Sequence, residues 1–257
     1  MIISRQNPEF KDLMKLREGK HRRRQGVFLA EGLRLVGDGI AAGWVPVKLI
    51  LSPPLLSAGA AVVVQEWDCP RLELSPELMA LAGDTETSQG IMALFALPDI
   101  GLESISGDLL LILDGIRDPG NAGALMRSGS AAGVGGVLAL TGSVDLSAPK
   151  VVRASMGGVF RIPWVRDLEA GEVVSWAETR GYKLVRLEPR GGVPFHRYDY
   201  QAKMALVVGN EADGVGPELA AACTAALTIP MPGGTESLNA AVAASLVLYQ
   251  ALIYRGL

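Results

Sequence analysis

The sequence predicts an α/β protein: a small first α/β domain, then a larger domain built on a parallel sheet with helices on both faces. Three observations lead to this class. Residues 8–95 alternate short helical and strand-like stretches. Beyond residue 108 the strand candidates become continuous apolar runs such as LLLILD (109–114), which are typical of strands buried on both faces. Helical stretches separate these runs, as in a helix-covered parallel sheet.

In the first domain the pattern predicts a helix near Pro8 to Arg17, the strand VFLA and a helix from about Glu31 to Ala42. The strands VKLIL and AVVV, the helix SPELMALA and the strand IMALFAL follow. The segment PDIGLESISG then loses periodicity and gathers Pro, Gly and Ser, which indicates a linker. The predicted division is a first domain 1–97, a linker 98–107 and a second domain 108–257.

In the second domain the remaining strand candidates are GVLAL, KLVRLE, MALVVG and ALTIPM. Helical stretches are predicted to start near Asn121, Ala148, Leu168, Gly216 and Asn239. Ligands of such sheets bind beyond the carboxyl ends of the strands. We therefore expect the chemistry in three Gly-rich loops that follow strands.

Composition excludes several classes of protein. The 257 residues carry 24 Lys and Arg against 27 Asp and Glu, and 49% are hydrophobic, which excludes a disordered tail, a collagen-like repeat and a uniformly basic nucleic-acid binder. Two cysteines and two histidines cannot form a disulfide framework or a Cys/His zinc site, so no metal is expected. No signal peptide or membrane span is predicted, because the apolar run 237–254 contains Ser, Asn and Gln. A reducing, cytoplasmic setting is expected.

The charges are unevenly distributed along the chain. Residues 1–34 hold nine Lys and Arg against four Asp and Glu, whereas the remainder holds 15 against 23. The run KHRRRQG is predicted to be a loop that offers several cations to the phosphates of a nucleic acid. The alternative is a solvated helix face. The predicted RNA-binding residues are Lys20, Arg22, Arg23 and Arg24.

The first of the three loops is LDGIRDPGNAGALMRSG (113–129). Pro119 and Gly120 predict a tight turn, Asn121 stands where a helix N-cap is expected, and Arg127 follows six residues later. An ordinary turn with a solvated arginine is the alternative. Against it, the predicted helix is otherwise composed mainly of small and apolar residues, so a lone arginine on it is unusual.

The second loop, in LVVGNEADGVGPEL (206–219), places Glu211 at its tip after Gly209. Its glycine spacing matches neither the dinucleotide pattern G-x-G-x-x-G nor the Walker pattern, which disfavours a nucleotide-binding oxidoreductase. A glycine-permitted turn with a solvated Glu is the alternative.

The third loop, in IPMPGGTESLNAAVAASLVLYQ (229–250), places Ser237 and Asn239 before a long helix. The alternative role of Ser237 is a simple N-cap. This helix is apolar on two sides, so one side is expected to face another part of the protein, such as a second subunit. One side is the stripe Val242, Leu246, Tyr249 and Ile253, and the other carries mainly alanines.

The three loops together resemble the motifs of the SpoU/TrmH family of RNA ribose 2′-O-methyltransferases, within the SPOUT class. DPGNAGALMRSG is similar to the first motif, VVGNEADGVG to the second and IPMPGGTESLNAAVAASLVLY to the third. The segment from SRQNPEFKDLMKLREGKHRRRQGVFLAEGLRLV onward is similar to the family's substrate-binding domain, which resembles a ribosomal protein. The resemblance implies a deep trefoil knot in the second domain and a homodimer that shares its active site.

The resemblance also implies site residues. The catalytic positions are Asn121, Arg127, Glu211, Ser237 and Asn239. The positions that hold S-adenosylmethionine are Gly209, Ile229, Met231 and Leu238. Ala212 is a departure, because the second motif usually has Gly there.

The chemistry implied by the resemblance is methyl transfer to a ribose 2′-hydroxyl, an in-line displacement in which positioning and charge stabilisation carry most of the rate. Arg127 is the candidate that holds the target phosphate and orients or helps to deprotonate the hydroxyl, as base or as electrostatic anchor. Structured RNA is the expected substrate, with ribosomal RNA favoured over transfer RNA. The alternatives are a transfer-RNA 2′-O-methyltransferase and a non-catalytic RNA-binding or ribosome assembly factor on the same fold.

Overall fold

A computed structural model describes residues 1–256 of the chain. The chain divides into two compact units. The first unit comprises Met1–Leu97 together with Ser147–Phe160, and the second comprises Pro98–Leu146 together with Arg161–Leu257. Residues 147–160 therefore fold with the first unit, although they lie inside the range 108–257 that the sequence assigns to one domain. Short helices of this segment bring Val151, Val152 and Phe160 into buried positions.

The first unit has a four-stranded sheet of order β1-β4-β2-β3, in which β2 and β3 are parallel and the other pairs are antiparallel. Its strands are β1 Val27–Glu31, β2 Pro46–Leu51, β3 Arg71–Glu73 and β4 Ile91–Ala96. Its helices are α1 Pro8–Lys15, α2 Gly19–Gln25, α3 Leu33–Ala41, α4 Ala58–Gln65, α5 Pro76–Ala82, α7 Pro149–Ala154 and α8 Gly158–Arg161, the last of which runs one residue past the unit.

Local signals set several of these helix starts. The Asn7 side chain accepts hydrogen bonds from the N–H groups of Glu9 and Phe10 and so caps α1. The Ser75 hydroxyl accepts from the N–H of Leu78 and caps α5. Four aromatic rings fill part of the core, with centroids between 4.8 and 6.4 Å apart: Phe28, Trp44, Phe95 and Phe160.

Two expectations for the first unit are wrong. The run AVVV lies in α4, whose first turn is capped by Ser57, so the cap and the preceding alanines outweigh the β-propensity of three valines. The run KHRRR is the helix α2 and not a loop, because Lys, Arg and Gln are good helix formers. Gly26, with φ 66°, ends α2 in the left-handed conformation that glycine adopts without strain.

The second unit has a seven-stranded sheet of order β7-β6-β5-β10-β8-β11-β9, and every pairing in it is parallel. Its strands are β5 Leu109–Asp114, β6 Val137–Leu140, β7 Trp164–Leu168, β8 Lys183–Leu187, β9 Val193–Pro194, β10 Met204–Gly209 and β11 Ala225–Thr228. Its helices are α6 Pro119–Ala131, α9 Ala170–Arg180, α10 Pro217–Ala222 and α11 Ala240–Tyr254.

The central strands are buried as their apolar runs predict. Leu110 to Leu113 of β5 are fully buried, and so are Ala205 to Val207 of β10. The predicted parallel, helix-covered sheet is confirmed, whereas β7 and the short β9 are strands that the sequence pattern did not reveal. The predicted linker 98–107 contributes Leu102 and Ile105 to the core of this unit.

The helix α11 has two apolar sides. Ala241, Ala244, Val247, Leu248 and Ala251 are buried. The opposite stripe is exposed, with exposed fractions of 50% for Val242, 42% for Leu246, 43% for Tyr249 and 63% for Ile253. Within residues 1–256 no helix is both long and apolar enough to cross a membrane.

Candidate active site

The three predicted loops meet at the carboxyl edge of the second unit's sheet. They follow β5, β10 and β11. In the sheet β10 lies beside β5, and only β8 separates β10 from β11. Because all these strands are parallel, their following loops emerge at the same edge. Residues far apart in sequence are thereby brought together.

The centre of the site is a chain of side-chain hydrogen bonds. The Asn121 Nδ2 group donates a hydrogen bond to Glu211 Oε1. The Asn239 Nδ2 group donates to Asn121 Oδ1 at 2.8 Å. One amide thus links all three loops: it lies on the first, donates to the second and accepts from the third. All three side chains are at least partly exposed, so a substrate can reach them.

Helix capping orients two of these side chains. The N-cap of α6 is Asp118, whose Oδ1 accepts from the N–H of Asn121 at 2.7 Å. The expectation that Asn121 is the N-cap is therefore wrong: it lies in the first turn, which leaves its amide free to bridge the other loops. The N-cap of α11 is Asn239, whose Oδ1 accepts from the N–H groups of Ala241 and Val242 at 3.0 and 3.2 Å. Asn239 thus caps a helix with its oxygen and donates to Asn121 with its nitrogen.

A residue that sequence reasoning missed is Asn210, which shapes the second loop. Its Nδ2 donates to the carbonyl of Gly115 at 2.8 Å, and its Oδ1 accepts from the N–H of Ala212 at 2.9 Å. Its backbone also pairs with Gly214. Position 212 has no left-handed φ, so alanine fits where the family usually has glycine. An asparagine directly after a strand, a common start of a side-chain-stabilised turn, is the signal that would have found Asn210.

A pocket of about 520 Å³ adjoins the hydrogen-bonded cluster. It contains all four positions predicted to hold the cofactor, Gly209, Ile229, Met231 and Leu238. Ser237 also lines it, as do Glu211 and Asn239 from the cluster. Leucine, isoleucine, valine and methionine side chains form much of its wall.

The charges in this pocket are all negative. Its lining includes Glu188, Glu211 and Asp213 but no Lys or Arg among the described residues. Glu188 is engaged by Arg186 at 2.7 Å, a hydrogen bond that raises the pKa of the arginine. Such a lining attracts cations and repels phosphates. Within residues 1–256 no group of three or more His, Cys, Asp or Glu side chains could hold a metal ion.

Gly209 lies where the second loop folds back on the strand end. A Cβ added there would lie 2.3 Å from the backbone carbon of Gly214. Any side chain would therefore displace the loop that forms one wall of the pocket.

Arg127 takes no part in the hydrogen-bonded cluster. Its side chain is exposed on α6 and makes no hydrogen bond or ion pair with the described residues. Its neighbour Ser128 accepts from the hydroxyl of Ser245 on α11 at 2.7 Å, so the two helices pack along the adjacent face. The structure gathers Asn121, Glu211 and Asn239 and leaves the guanidinium of Arg127 available to a partner.

The predicted RNA-binding residues lie on α2 of the first unit and do not behave alike. Arg23 and Arg24 are exposed, and Lys20 is exposed and pairs with Glu18 at 2.9 Å. Arg22 is only 2% exposed, so its assignment as an RNA-binding residue is wrong. Its Nε donates to the hydroxyl of Ser147, and its Nη1 donates to the carbonyls of Leu16 and Arg17.

A parallel sheet with a polar cluster and an acidic pocket at its carboxyl edge defines an α/β enzyme that binds its ligand beyond the strand ends. The chain belongs to the SpoU rRNA Methylase family, whose model matches residues 108–249. Residues 7–93 match the MRM3-like substrate binding domain. The resemblance and the fold class predicted from the sequence are thereby confirmed.

Two relatives match almost the whole chain. The 23S rRNA (uridine(2479)-2′-O)-methyltransferase of Streptomyces viridochromogenes is 31% identical, with 98% of this chain and 92% of that protein covered. The 23S rRNA (guanosine(2553)-2′-O)-methyltransferase RlmP of Bacillus subtilis is also 31% identical, with 96% and 97% covered. Among solved structures, the SpoU methyltransferase AviRb from Streptomyces viridochromogenes in complex with AdoMet has a TM-score of 0.90 at 30% identity, covering 97% of this chain and 98% of that chain.

Proposed function

We propose that the protein transfers a methyl group from S-adenosylmethionine to a ribose 2′-hydroxyl of ribosomal RNA. The observation that carries the proposal is the hydrogen-bonded cluster of Asn121, Glu211 and Asn239 beside the acidic pocket. The named activities of the full-length relatives, both on 23S rRNA, favour ribosomal over transfer RNA.

The pocket fits S-adenosylmethionine on three counts. Its volume of about 520 Å³ is in the usual range for small-molecule sites. Its apolar wall suits an adenosine and a methionine chain, with Ile229, Met231 and Leu238 as the holding side chains. Its carboxylates complement S-adenosylmethionine, whose sulfonium and ammonium outweigh its one carboxylate, and they disfavour a nicotinamide dinucleotide, which carries phosphates. When bound, S-adenosylmethionine supplies an electrophilic methyl group.

The residues of the chain supply positioning and charge. In our proposal the hydrogen bonds among Asn121, Glu211 and Asn239 hold the three loops in fixed relative positions. Ser237 and Asn239 orient the ribose against the pocket. Arg127 anchors the target phosphate, because its guanidinium presents several donors that match a phosphate and has no partner among residues 1–256. Developing negative charge on the 2′-oxygen is stabilised by the same cation.

We further propose that the first unit grips the RNA, with Arg23, Arg24 and Lys20 as phosphate contacts. In this proposal the RNA-binding part is the predicted domain 1–97 together with residues 147–160, and the catalytic part is the rest of the predicted domain 108–257, joined through residues 98–107. We also propose a cytoplasmic location, because the two relatives that match almost the whole chain are bacterial proteins named for 23S rRNA.

The deep knot and the homodimer also belong to this proposal. The exposed stripe on α11 supports the dimer, since four exposed large apolar side chains in one line are typical of an interface: Val242, Leu246, Tyr249 and Ile253. Leu246→Glu should convert a dimer to a monomer in sedimentation equilibrium. A wild-type chain that sediments as a monomer would contradict the dimer.

The proposed activity is tested with methyl-labelled S-adenosylmethionine and ribosomal RNA. We expect label in 2′-O-methylated nucleosides, and a loss of about a hundredfold or more in Arg127→Ala. Arg180→Ala, which removes another exposed arginine of the second unit, is the matched control and should retain activity. Label on bases, or equal labelling by wild type and Arg127→Ala, would contradict the proposal. A non-catalytic RNA-binding factor would instead bind RNA and show no heat of S-adenosylmethionine binding in calorimetry.

A further inference from the structure

A second cavity lies in the first unit. Its volume is about 200 Å³. It lies between the start of α3, the loop 84–89 and the turn after α7. Six side chains that could contact a ligand line it, and we call it the Arg34 pocket: Arg34, Thr85, Thr87, Gln89, Arg153 and Met156.

The side chains of the two arginines of the Arg34 pocket have no hydrogen-bond or ion-pair partner among the described residues. Neither guanidinium, of Arg34 or of Arg153, forms a hydrogen bond or an ion pair with a residue of 1–256. The nearby carboxylate of Glu31 is held by the hydroxyl of Thr85 at 2.6 Å and the N–H of Asp84 at 2.9 Å. Asp38, the other acid of the lining, is also engaged. Two guanidinium groups that form no ion pair with the Glu31 and Asp38 carboxylates of the same lining suit an external oxyanion such as phosphate.

Gln89 adds a donor of defined orientation. Its Oε1 accepts from the N–H of Leu33 at 2.9 Å, at the first residue of α3. Gly32, with φ 97°, allows the chain to turn there beneath the Gln89 amide. Because its oxygen is fixed, the NH2 group of Gln89 is positioned and has no partner among the described residues. A fixed amide donor beside a threonine hydroxyl can read the edge of a nucleobase.

Met156 gives the rim of the Arg34 pocket an apolar face held in a strained backbone. Its φ is 47°, a left-handed conformation that a residue with a long side chain rarely adopts. Its side chain is nevertheless 39% exposed, so core packing does not account for the conformation. Strained residues concentrate at ligand sites. A thioether at the rim is a suitable surface for a stacked base.

We propose that the Arg34 pocket binds one unpaired nucleotide of the substrate RNA. Arg34 and Arg153 take the phosphate, Gln89 and Thr87 take the base edge, and the base packs on Met156. The inference rests on the proposed function for its RNA substrate. It gives the first unit a role in choosing the target, which is needed because two relatives of equal identity modify a uridine and a guanosine.

The test is binding of the full-length protein to a fluorescent single-stranded RNA of about ten nucleotides and to the same strand in a duplex. Wild type should prefer the single strand. Arg34→Ala and Arg153→Ala should each weaken single-strand binding by about tenfold and leave duplex binding within about twofold. Arg5→Ala, an exposed arginine of the same unit outside the pocket, should change both affinities equally and by little. Arg34→Glu provides a second variant at the exposed position, and a thermal melt checks that each variant is folded.

The variant Gln89→Ala tests recognition of the base separately from binding of the phosphate. We expect it to reduce the difference in affinity among oligo(A), oligo(C) and oligo(U) while the dependence of affinity on salt stays unchanged. Loss of single-strand and duplex binding in parallel in Arg34→Ala, or no loss in either, would overturn the proposal. Methyl transfer to ribosomal RNA by wild type is measured separately: its absence would contradict the proposed function, whereas the strand preference and its loss in Arg34→Ala would still report on the pocket.

Discussion

Arg22 provides the sharpest test of how the first unit is built, because its sequence context predicts an RNA contact and its structure predicts a stabilising role. Arg22→Ala removes the hydrogen bonds of a buried cation, among them those at 3.0 Å to Ser147, 2.8 Å to Leu16 and 2.9 Å to Arg17. Their acceptors are then left without this donor. Hydrogen bonds to charged groups contribute about 1.5–3 kcal/mol each, part of which the freed acceptors regain from water. A net loss of about 3 kcal/mol is expected, which corresponds to a fall in Tm of roughly 6–12 °C.

The assay combines urea unfolding followed by circular dichroism with RNA binding at several salt concentrations. Arg23→Ala and Arg24→Ala are the matched controls, since they remove neighbouring exposed arginines of the same helix. Each control should change the free energy of unfolding by less than about 0.5 kcal/mol and lower the salt dependence of RNA binding by about one phosphate contact. Arg22→Ala should lower the free energy of unfolding by about 3 kcal/mol and, under conditions in which it is folded, leave the salt dependence of RNA binding unchanged. Unchanged stability together with a reduced salt dependence in Arg22→Ala would refute the reasoning.

Three further predictions concern the second unit. Asn239→Ala should lower the free energy of unfolding by about 1 kcal/mol, because the N-cap of α11 is lost, and should reduce methyl transfer. Asn239→Asp should keep the cap, lose the donor to Asn121 and still reduce methyl transfer. Equal activity of Asn239→Asp and wild type would contradict this expectation. Gly209→Ala should abolish S-adenosylmethionine binding in calorimetry because its Cβ meets backbone at 2.3 Å, whereas Gly37→Ala, with nothing within 4 Å, should bind normally. Burial raises the pKa of the Cys223 thiol from 9.0 to about 11. Because the unfolded thiol ionises at lower pH than the folded one, the free energy of unfolding should decline as pH rises from about 9 to 11. A flat profile for wild type, or the same decline in Cys223→Ala, would contradict this expectation.

Prediction from the sequence was most successful where the signal is local and strong. The run LLLILD is β5, fully buried along most of its length, because only a strand with helices on both faces accommodates five consecutive large aliphatic residues. The loops after β5, β10 and β11 were also placed correctly, since glycine and proline interrupt apolar runs at identifiable positions. Capping was harder: Asp118 and Asn121 are both good caps, and the sequence does not say which one begins α6.

Side-chain identity alone did not separate structural from functional cations. Arg22, Arg23 and Arg24 are chemically identical neighbours, and only the packing of α2 buries the first and exposes the other two. The same holds for AVVV, where the surrounding unit accommodates a helix that three valines by themselves disfavour. Propensity is a weak signal that tertiary contacts override.

The sequence by itself determined the parallel sheet of the second unit, the three loops and the kinds of side chain on them, because periodicity and turn chemistry depend on near neighbours in the chain. Only the tertiary structure decided that Asn121 joins Glu211 and Asn239, which lie 90 and 118 residues further along. It also decided that residues 147–160 complete the first unit and that Arg34 and Arg153 share a cavity. Burial and long-range hydrogen bonds arise where segments distant in sequence are in contact, and local sequence patterns do not predict those contacts.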